Sequence, residues 1–530
     1  MNSVTRTAAL VAGAVAMLVA PLAAMKVLSE PDDPRLSVGA APAATLVPGD
    51  IRDATGRMIA GAVWTGLVTY DPRSGAPVPA AAESITSPDR RVWTVRLRPG
   101  GRFHDGTPVT ARSFTDAWTA VVREGWHGAH LITETARIAG ARDAGEKPRP
   151  ERTAGTRGPG AEETGGKTGA PIEGLKVEDE KTFKVILERP LSGFPALLGD
   201  PAFLPMPDSV LRSRDWAGYA RRPIGNGPYR ITAHGPRETV LQRPNARTIV
   251  VKSIADAAAQ YSAVELGRLD VATAVPRDRH EQMDSEFRGR HLTLPGRTMT
   301  YLAFPSWEDR YTPAIRQALS MAVDRKAITE GLLEHQATPA NALVPPGVLP
   351  GRRAGQCRLC LHDARAAVAA LDDAGGLTST LNLWHEPSDN PWVEAVAEQL
   401  RKTLTIDVQP RRVPAGELRR MVTERKIDGP FVVHATAPYP APVAPLRPLL
   451  DSGMDHQDEY VSGLVAQAEG AATPDAGVTP ARLAESALLR DMAAMPLWSR
   501  HDHFVWSERV TGVTAEPFTG LHLASLGLRP

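Results

Sequence analysis

Residues 93–118 read WTVRLRPGGRFHDGTPVTARSFTDAW, and the order of elements in this stretch decides the fold. Every second residue from Trp93 to Leu97 is apolar, which predicts a half-buried strand over 92–97. The Pro-Gly-Gly sequence that follows predicts a turn. Apolar residues then recur at helical spacing over 107–122, so we expect a helix after the turn.

The second half of the chain alternates strand and helix patterns. Short apolar stretches predict strands at 381–384, 405–408 and 429–433. Thr312 and Asn390 each precede a proline and an apolar stripe at helical spacing, which predicts the start of a helix at both places. This alternation of strand and helix is typical of an α/β sheet.

Length and charge limit the classes of protein to consider. The chain has 530 residues, 42% of them hydrophobic, so it is globular and too long for a single core. Two or three compact units are therefore expected. Its 61 basic and 60 acidic residues give a formal net charge of +1, so no bulk field favours nucleic acid or an anionic membrane.

Sequence motifs of common enzyme classes are missing. The chain contains no HExxH, no GxSxG, and no carboxylate or histidine cluster at metal-ligand spacing. The adjacent His104 and Asp105 lie in a predicted tight turn without a nucleophile, so they do not indicate catalysis. We therefore expect a binding protein without catalytic residues, metal or cofactor.

The first residues have the pattern of an export signal. Arg6 precedes an uncharged run over 7–25, and Lys26 closes it. The run is interpreted as a cleaved signal or a retained membrane anchor, with a buried core helix as the third alternative. A polar, proline-rich stretch over 30–48 is interpreted as a tether. No cysteine lies near the run, which excludes a lipid-modified anchor, and we expect the chain in the periplasm or at the extracellular face of the membrane, secreted or anchored.

Residues 141–170 are rich in glycine, proline and charge and contain no large apolar residue. Such a segment cannot bury enough surface to offset its chain entropy, so we predict a disordered surface loop. Order is expected to resume at 182–187, where TFKVIL alternates as a strand does.

Cys357 and Cys360 are the only cysteines of the sequence. Outside the cell a nearby pair is more often oxidised than bound to metal, so we expect a structural disulfide. Two free thiols are one alternative, and a zinc or thiol function with the neighbouring His362 and Asp363 is another.

Two further stretches complete a pattern that begins at 93–118. IGNGPYR occupies 224–230, and YLAFPSWEDRYTPAIRQALSMAVDR occupies 301–325. In this order the three stretches resemble family 5 of the extracytoplasmic solute-binding proteins, the peptide- and nickel-binding type that serves ABC importers. The second is similar to the family's Gly-x-Gly-Pro-Tyr turn and the third to its hinge strand and following helix. The resemblance covers nearly all of residues 50–515.

The resemblance implies an α/β fold of the periplasmic-binding-protein-like class II (cluster C), with two main lobes, a hinge and an inserted subdomain. Strands near 222–229 and 297–304 are expected to cross between the lobes and form the hinge. The implied units are the export signal or anchor with its tether at 1–43, a discontinuous lobe I at 44–68, 198–297 and 500–530, an inserted subdomain II at 69–197 with the disordered loop 141–170, and lobe III at 298–499.

The same resemblance implies a function. The protein is expected to capture a peptide-like or other small organic solute by hinge closure and to deliver it to ABC permease subunits in the membrane. It is expected to act as a monomer and not to bind nucleic acid. A membrane-tethered extracellular sensor or binding module without transport is the alternative.

Ligands of open α/β sheets lie beyond the carboxyl ends of the strands, which directs attention to three residues at the end of one predicted strand. Trp384, His385 and Glu386 combine an aromatic surface, a hydrogen-bond donor and a carboxylate. The alternative is a tryptophan packed in the core with two solvated polar neighbours.

His434–Pro442 follows the next apolar strand and is expected to form the ligand loop. Where the family's peptide binders carry acidic residues, this loop has Pro438 and Ala441. A buried ammonium without a carboxylate partner costs several kcal/mol. Either Glu386 supplies the charge, or peptides with free amino ends bind poorly and the ligand stacks on Trp384 and Tyr439.

Two more aromatic residues are candidate walls of the ligand site. Trp64 lies in the implied first lobe and Tyr301 lies at the implied hinge. Aromatic residues in such places are more often part of the core than ligand contacts, so both interpretations are kept.

Overall fold

A computed structural model describes residues 35–71, 75–145, 171–348, 357–451 and 458–529. The predicted export segment and residues 146–170 of the predicted loop lie outside these ranges. Among the described helices, none has the combination of length and hydrophobicity that crossing a bilayer requires.

The described residues form short strands and helices joined by turns. The strands are β1 Leu36–Ala40, β2 Val68–Tyr70, β3 Pro77–Pro79, β4 Ala82–Thr86, β5 Val92–Leu97, β6 Leu175–Val177, β7 Thr182–Ile186, β8 Arg230–His234, β9 Glu238–Gln242, β10 Ile249–Ser253, β11 Val271–Ala272, β12 His291–Ala303, β13 Ala337–Pro339, β14 Leu381–His385, β15 Val408–Arg412, β16 Phe431–Thr436, β17 Ala494–Trp506, β18 Val510–Thr511, β19 Ala515–Glu516, β20 Gly520–Leu521 and β21 Gly527–Leu528. The α-helices are α1 Ala54–Val63, α2 Ala111–Glu124, α3 Ala141–Gly145, α4 Phe194–Leu197, α5 Asp208–Ser213, α6 Trp216–Arg221, α7 Ala257–Glu265, α8 His280–Glu286, α9 Pro313–Ala322, α10 Arg325–Ala327, α11 Ala364–Asp373, α12 Asn390–Leu404, α13 Leu418–Thr423, α14 Leu446–Asp451, α15 Glu459–Glu469 and α16 Val478–Arg490.

One large mixed sheet of 11 strands runs through most of the molecule, in the order β15-β14-β16-β12-β17-β11-β1-β10-β9-β8, with β13 also paired to β17. Its centre is the antiparallel pair β12–β17, and each of these strands is 13 residues long. At one end β17 pairs with β11, and at the other β12 pairs with β16. The two long strands therefore connect both halves of the sheet.

The inserted part of the chain forms a second sheet, in the order β4-β5-β7-β6. The strand predicted at 92–97 is confirmed as β5. The predicted helix begins later than expected, at Ala111, because Thr110 and Ser113 form a capping box there. Trp118 of this helix packs edge-on against Phe203, with ring centroids 5.1 Å apart.

Helices cover the sheet of the second half. A single buried cluster joins α9, α11 and α12 to one face of β14 and β16. The predicted start of α9 is confirmed, since the Thr312 side chain accepts a hydrogen bond from the Ile315 amide. The strand predicted at 405–408 begins only at Val408, because Thr405 adopts a left-handed conformation and ends α12. The α/β prediction for this half is confirmed.

Two of the predicted irregular segments contain regular structure. Residues 36–40, which were assigned to the tether, form β1 inside the large sheet, parallel to both β10 and β11. The apolar sequence LSVGA fits between two neighbours, although the residues around it are polar and proline-rich. Residues 141–145, assigned to the disordered loop, form α3, in which Ala141 is fully buried. The predictions for these two short segments are wrong.

Residues 222–229 were expected to form a strand that crosses between the lobes, but they do not form a strand. The segment is irregular and packs on the end of α1, where the Gly227 amide donates to the Val63 carbonyl at 2.8 Å. Side chains at Gly225 or Gly227 would overlap the Val63 backbone, which explains the glycines. His104 holds the same turn, with Nε2 2.9 Å from the Gly227 carbonyl oxygen. The stretch 93–118 therefore contacts the stretch 224–230, and the contact holds the turn in place.

Candidate functional site

The carboxyl ends of β14 and β16 lie at the same edge of the sheet because the two strands are parallel. This edge faces the long strands, since Thr436 at the end of β16 pairs with Thr298 of β12. Their hydroxyl oxygens are 2.8 Å apart. The candidate site residues of the second half thus lie beside the connection between the two halves of the sheet.

Trp384 and His385 are the last two residues of β14 and point to opposite faces of the sheet. The half-buried indole of Trp384 donates from Nε1 to Asp428 Oδ1 at 3.0 Å. His385 is fully buried, with Nδ1 2.9 Å from the Glu386 carbonyl oxygen. The structure does not bring the aromatic ring and the imidazole to one surface.

Glu386 and His434 retain partial exposure. Glu386 Oε1 accepts a hydrogen bond from the Gly416 amide at 2.8 Å. The His434 side chain is 43% exposed, with Nε2 3.0 Å from Asp389 Oδ1 and Nδ1 3.1 Å from Thr300 Oγ1. Of the seven predicted ligand residues, His434 is the one that presents a clearly accessible polar side chain at the edge.

Tyr301 and Tyr439 are core residues. The Tyr301 hydroxyl donates to the Leu343 carbonyl oxygen, and burial raises the pKa of this phenol well above its ordinary value. The Tyr439 ring lies against Gly193, where an added Cβ would be 2.5 Å from the ring. Neither ring is free to stack on a ligand in this conformation.

Trp64 lies beside a cavity of about 210 Å³ on the other side of the connection. Arg57 also lines it and forms an ion pair of 2.6 Å with the buried Asp200. Phe518 and Thr519 from the C-terminal part of the chain close one side. The cavity has both an aromatic wall and polar groups, as small-molecule sites do.

Arg297, which no sequence motif indicated, connects the cavity side with the predicted ligand loop. It lies within the irregular stretch of the β12–β17 pairing between Pro295 and Met299. Its Nη1 donates to the Ala437 carbonyl at 3.0 Å, and its guanidinium lies 5.2 Å from the centre of the Phe518 ring. Burial, together with the charge of Arg57, lowers the pKa of Arg297 to about 10.

Four histidines cluster on the long strands and the elements beside them. Ring centroids are 4.4 Å apart for His280 and His503, 5.9 Å for His501 and His503, and 6.1 Å for His280 and His335. Burial, together with the neighbouring imidazoles of His280 and His501, lowers the pKa of His503 to about 3. The pKa values of His280 and His501 are lowered for the same reasons, although Asp284 and Glu281 oppose the shift at His280.

These shifts predict a loss of stability at acid pH. Below about pH 6.5 the unfolded chain protonates imidazoles that the folded chain keeps neutral, so the unfolded state binds more protons. Stability is therefore complete above about pH 6.5 and falls as the pH drops from there towards the folded value of about 3 for His503. The melting temperature, measured at several pH values from 7.5 to 4.5, gives the slope of stability against pH. His503→Asn is expected to reduce this slope. His362→Gln, at an exposed position, is expected to leave it unchanged. Equal slopes in the wild type and both variants would contradict a role of His503 in the pH dependence.

Cys357 and Cys360 form a disulfide in the structure. Within the described ranges, no group of three or more histidine, cysteine, aspartate or glutamate side chains is arranged to hold a metal ion.

Residues 76–456 match the model of the middle part of the bacterial extracellular solute-binding proteins, family 5. The Escherichia coli periplasmic murein peptide-binding protein is 27% identical over 372 residues, which are 66% of this chain and 65% of that protein. The Bacillus subtilis dipeptide-binding protein is 22% identical over 469 residues, covering 83% of this chain and 82% of that one. The match with the first relative thus spans slightly less than two thirds of its length.

Solved structures agree in fold over nearly the whole chain. The unliganded open form of the murein tripeptide-binding protein superposes with a TM-score of 0.75 at 21% identity, covering 94% of this chain and 98% of that one. Haemophilus influenzae OppA in complex with the peptide RPPGFSPFR gives a TM-score of 0.68 at 18% identity, with coverage of 94% and 99%.

Proposed function

The chain belongs to family 5 of the bacterial extracellular solute-binding proteins, and on that premise we propose that it captures a peptide-like or other small organic solute outside the cytoplasm. It delivers the solute to the permease subunits of an ABC importer. It acts by binding and closure, without chemical change of the solute, and as a monomer.

One observation carries this proposal. The long strands β12 and β17 connect the two halves of the large sheet, and polar groups lie on both sides of the connection. The pairing shifts register between Pro295 and Met299 and again between Thr300 and Tyr301, and irregularities of this kind allow strands to bend. Hinges consist of a few residues of this kind, which absorb the change in backbone angle while the lobes move as units.

The relatives support a peptide-like ligand. The two described above are named for binding murein peptide and dipeptide, and the Haemophilus influenzae structure contains a nonapeptide. The edge formed by β14 and β16 offers hydrogen-bonding groups, namely His434, Thr436 and Thr298, and the cavity opposite has an indole wall. A peptide presents both a polar backbone and apolar side chains to such a site.

Titration calorimetry with a library of di- to pentapeptides tests the proposal. We expect saturable binding with one site per chain, and we expect the bound peptides to be recovered intact by mass spectrometry after denaturation. Peptides recovered as fragments would indicate a hydrolase. Absence of binding by every peptide length would contradict the peptide-like ligand.

A further inference from the structure

Strands β11 and β13 pair with the same edge of β17 but leave a gap between them. β12 occupies the other edge of β17. On the shared edge β11 pairs with residues 505–506 and β13 pairs with residues 498–500, so the gap lies beside residues 501–504. β11 falls in the implied lobe I and β13 in the implied lobe III. The gap therefore spans the predicted boundary between the lobes.

Four histidines lie at this gap. His501 and His503 are on β17, His280 begins α8 in the implied lobe I, and His335 comes just before β13 in the implied lobe III. The ring centroids of His280 and His335 are 6.1 Å apart and their planes differ by 20°, so the two rings stack across the gap. The His503 ring lies 4.4 Å from that of His280. The cluster therefore connects the two lobes.

The apolar residues on the two sides of the gap belong to separate cores. Val275 on one side and Leu333 on the other are members of different buried clusters. Polar contacts cross between the sides instead. The Gln336 side chain donates to the Val275 carbonyl at 3.0 Å, and His335 Nε2 lies 3.4 Å from Glu281 Oε1. Stacked imidazoles and polar contacts, rather than a shared apolar core, thus connect α8 with the segment before β13.

The backbone of the segment before β13 is strained. Glu334 and His335 both have positive φ angles, of 46° and 60°, a conformation that residues other than glycine rarely adopt. Strained residues persist only where their surroundings hold them, and they are common in segments that switch between two arrangements. The side of the gap that carries His335 is therefore the side that can rearrange.

The carboxylates that act on the cluster from α8 lie at the surface. Burial and the charge of His335 lower the pKa of His280, and Asp284 and Glu281 oppose this shift. The side chains of Glu281 and Asp284 are 77% and 76% exposed, so water screens their charges. Asp284 Oδ1 also lies 3.4 Å from His291 Nδ1 of β12, so that carboxylate is shared. Positive charge in the cluster is therefore only weakly compensated.

Neutral groups surround the two histidines of β17. Thr293 Oγ1 of β12 lies 3.2 Å from His503 Nδ1, and Thr338 Oγ1 of β13 lies 2.6 Å from His501 Nε2. The Asp502 side chain, which comes between them in the strand, points to the opposite face of the sheet. His503 Nε2 is buried and has no hydrogen-bond partner among the residues that the structure describes. A proton added to His503 thus finds no anion beside it in the described part of the chain.

We propose that this cluster makes the arrangement of the two lobes depend on pH: acidification separates His280 from His335 and widens the gap between β11 and β13. Neighbouring imidazoles that share a small space repel each other once both are charged. The strained segment before β13 is the part of the chain that moves in response. The lobe movement is inferred without reference to a ligand, whereas a resulting pH dependence of ligand affinity rests on the proposed function.

The binding of protons gives the direction of the change. Burial, together with the neighbouring imidazoles, lowers the pKa values of His280, His501 and His503 in the arrangement described. An arrangement with a wider gap exposes these rings to water, so it binds more protons below about pH 6.5. Acid therefore shifts the population towards the wider gap, and neutral pH restores the narrow one.

The distance between two spin labels, measured by electron paramagnetic resonance on the ligand-free protein, tests the proposal. Nitroxides are attached to Gln282→Cys on α8 and to Glu330→Cys ahead of β13, both at exposed positions. The native cysteines are joined in a disulfide and do not take the label. We expect longer distances at pH 5.0 than at pH 7.5, a midpoint below about pH 6.5, and full return at pH 7.5.

Histidine variants of the labelled protein isolate the cluster. The double variant His280→Gln with His335→Gln cannot charge the stacked pair and is expected to lose most of the shift in distance. His335→Gln alone changes a side chain that is 40% exposed and is expected to lose part of it. The exposed His362→Gln is expected to keep the whole shift. Circular dichroism at pH 5.0 verifies that each protein is folded. Equal distances at both pH values in the parent protein, or an undiminished shift in the double variant, overturn the proposal. Because no ligand is present, neither result bears on the proposed function.

Discussion

Replacing Glu469 by glutamine is expected to lower the free energy of unfolding by about 3 to 5 kcal/mol. Glu469 is 4% exposed and binds two arginines through both oxygens. Arg189 Nη1 is 3.0 Å and Arg447 Nη2 is 2.9 Å from Oε2, and Arg189 Nη2 and Arg447 Nε each donate to Oε1 at 3.3 Å. A neutral amide leaves two cations whose loss of hydration is no longer offset by an anion. The variant therefore loses much more than the strength of an exposed ion pair.

The position of Glu469 extends the effect to the contact between the inserted part of the chain and the second half. Arg189 belongs to the first and Arg447 to the second. The Ser192 amide donates to the Glu469 carbonyl at 2.6 Å, so backbone and side chain of Glu469 hold the same contact. We expect the variant to separate these parts more readily.

Urea denaturation followed by circular dichroism measures the change for Glu469→Gln. Glu424→Gln is the control, because its carboxylate pairs with Arg420 at the surface and its removal is expected to leave the midpoint unchanged. A Glu469→Gln protein that unfolds at the same urea concentration as the wild type would show that the two arginines are solvated.

Replacing Arg325 by methionine is the second large expected effect, with a loss of at least about 3 kcal/mol. Arg325 is 3% exposed and donates to the carbonyls of Pro496, Ser320, Val323 and Cys360 and to the Ser320 hydroxyl. Methionine has a similar length but no donors, so these buried acceptors are left unsatisfied.

The contacts of Arg325 are with carbonyl and hydroxyl oxygens, and burial lowers its pKa to about 9. It is therefore still charged at neutral pH and joins β17, the end of α9 and the disulfide segment. Arg325→Lys, with fewer donors, is expected to fall between the wild type and methionine, and Arg365→Met on the exposed face of α11 is expected to be neutral. Urea midpoints in that order support the account; an Arg325→Met midpoint equal to that of Arg365→Met refutes it.

The elements that could be predicted from the sequence are those whose formation depends on residues close together in the chain. The strand at 92–97 follows from alternation, and the start of α9 follows from a side chain that caps its own helix. The strand β1 escaped prediction because its stability comes from two distant parallel neighbours rather than from its flanking residues. The glycines of the 224–230 turn were visible, but their contact with Val63 was not.

The candidate site was only partly predictable. His434 was found because polar residues at the carboxyl end of a strand are a recognisable signal. Arg297 was missed because its contacts are with Ala437 and Phe518, which are distant in the sequence. Trp384 and His385 were candidates for one ligand surface, yet strand alternation turns their side chains to opposite faces of the sheet.

Small-angle X-ray scattering of the protein with and without a saturating peptide tests the central claim, which is that the two halves of the molecule close on a ligand about β12 and β17. Saturation is first established by calorimetry on the same sample. The account predicts a smaller radius of gyration for the saturated protein, because domain closure around a ligand makes the molecule more compact. Scattering curves that superimpose at confirmed saturation would contradict closure.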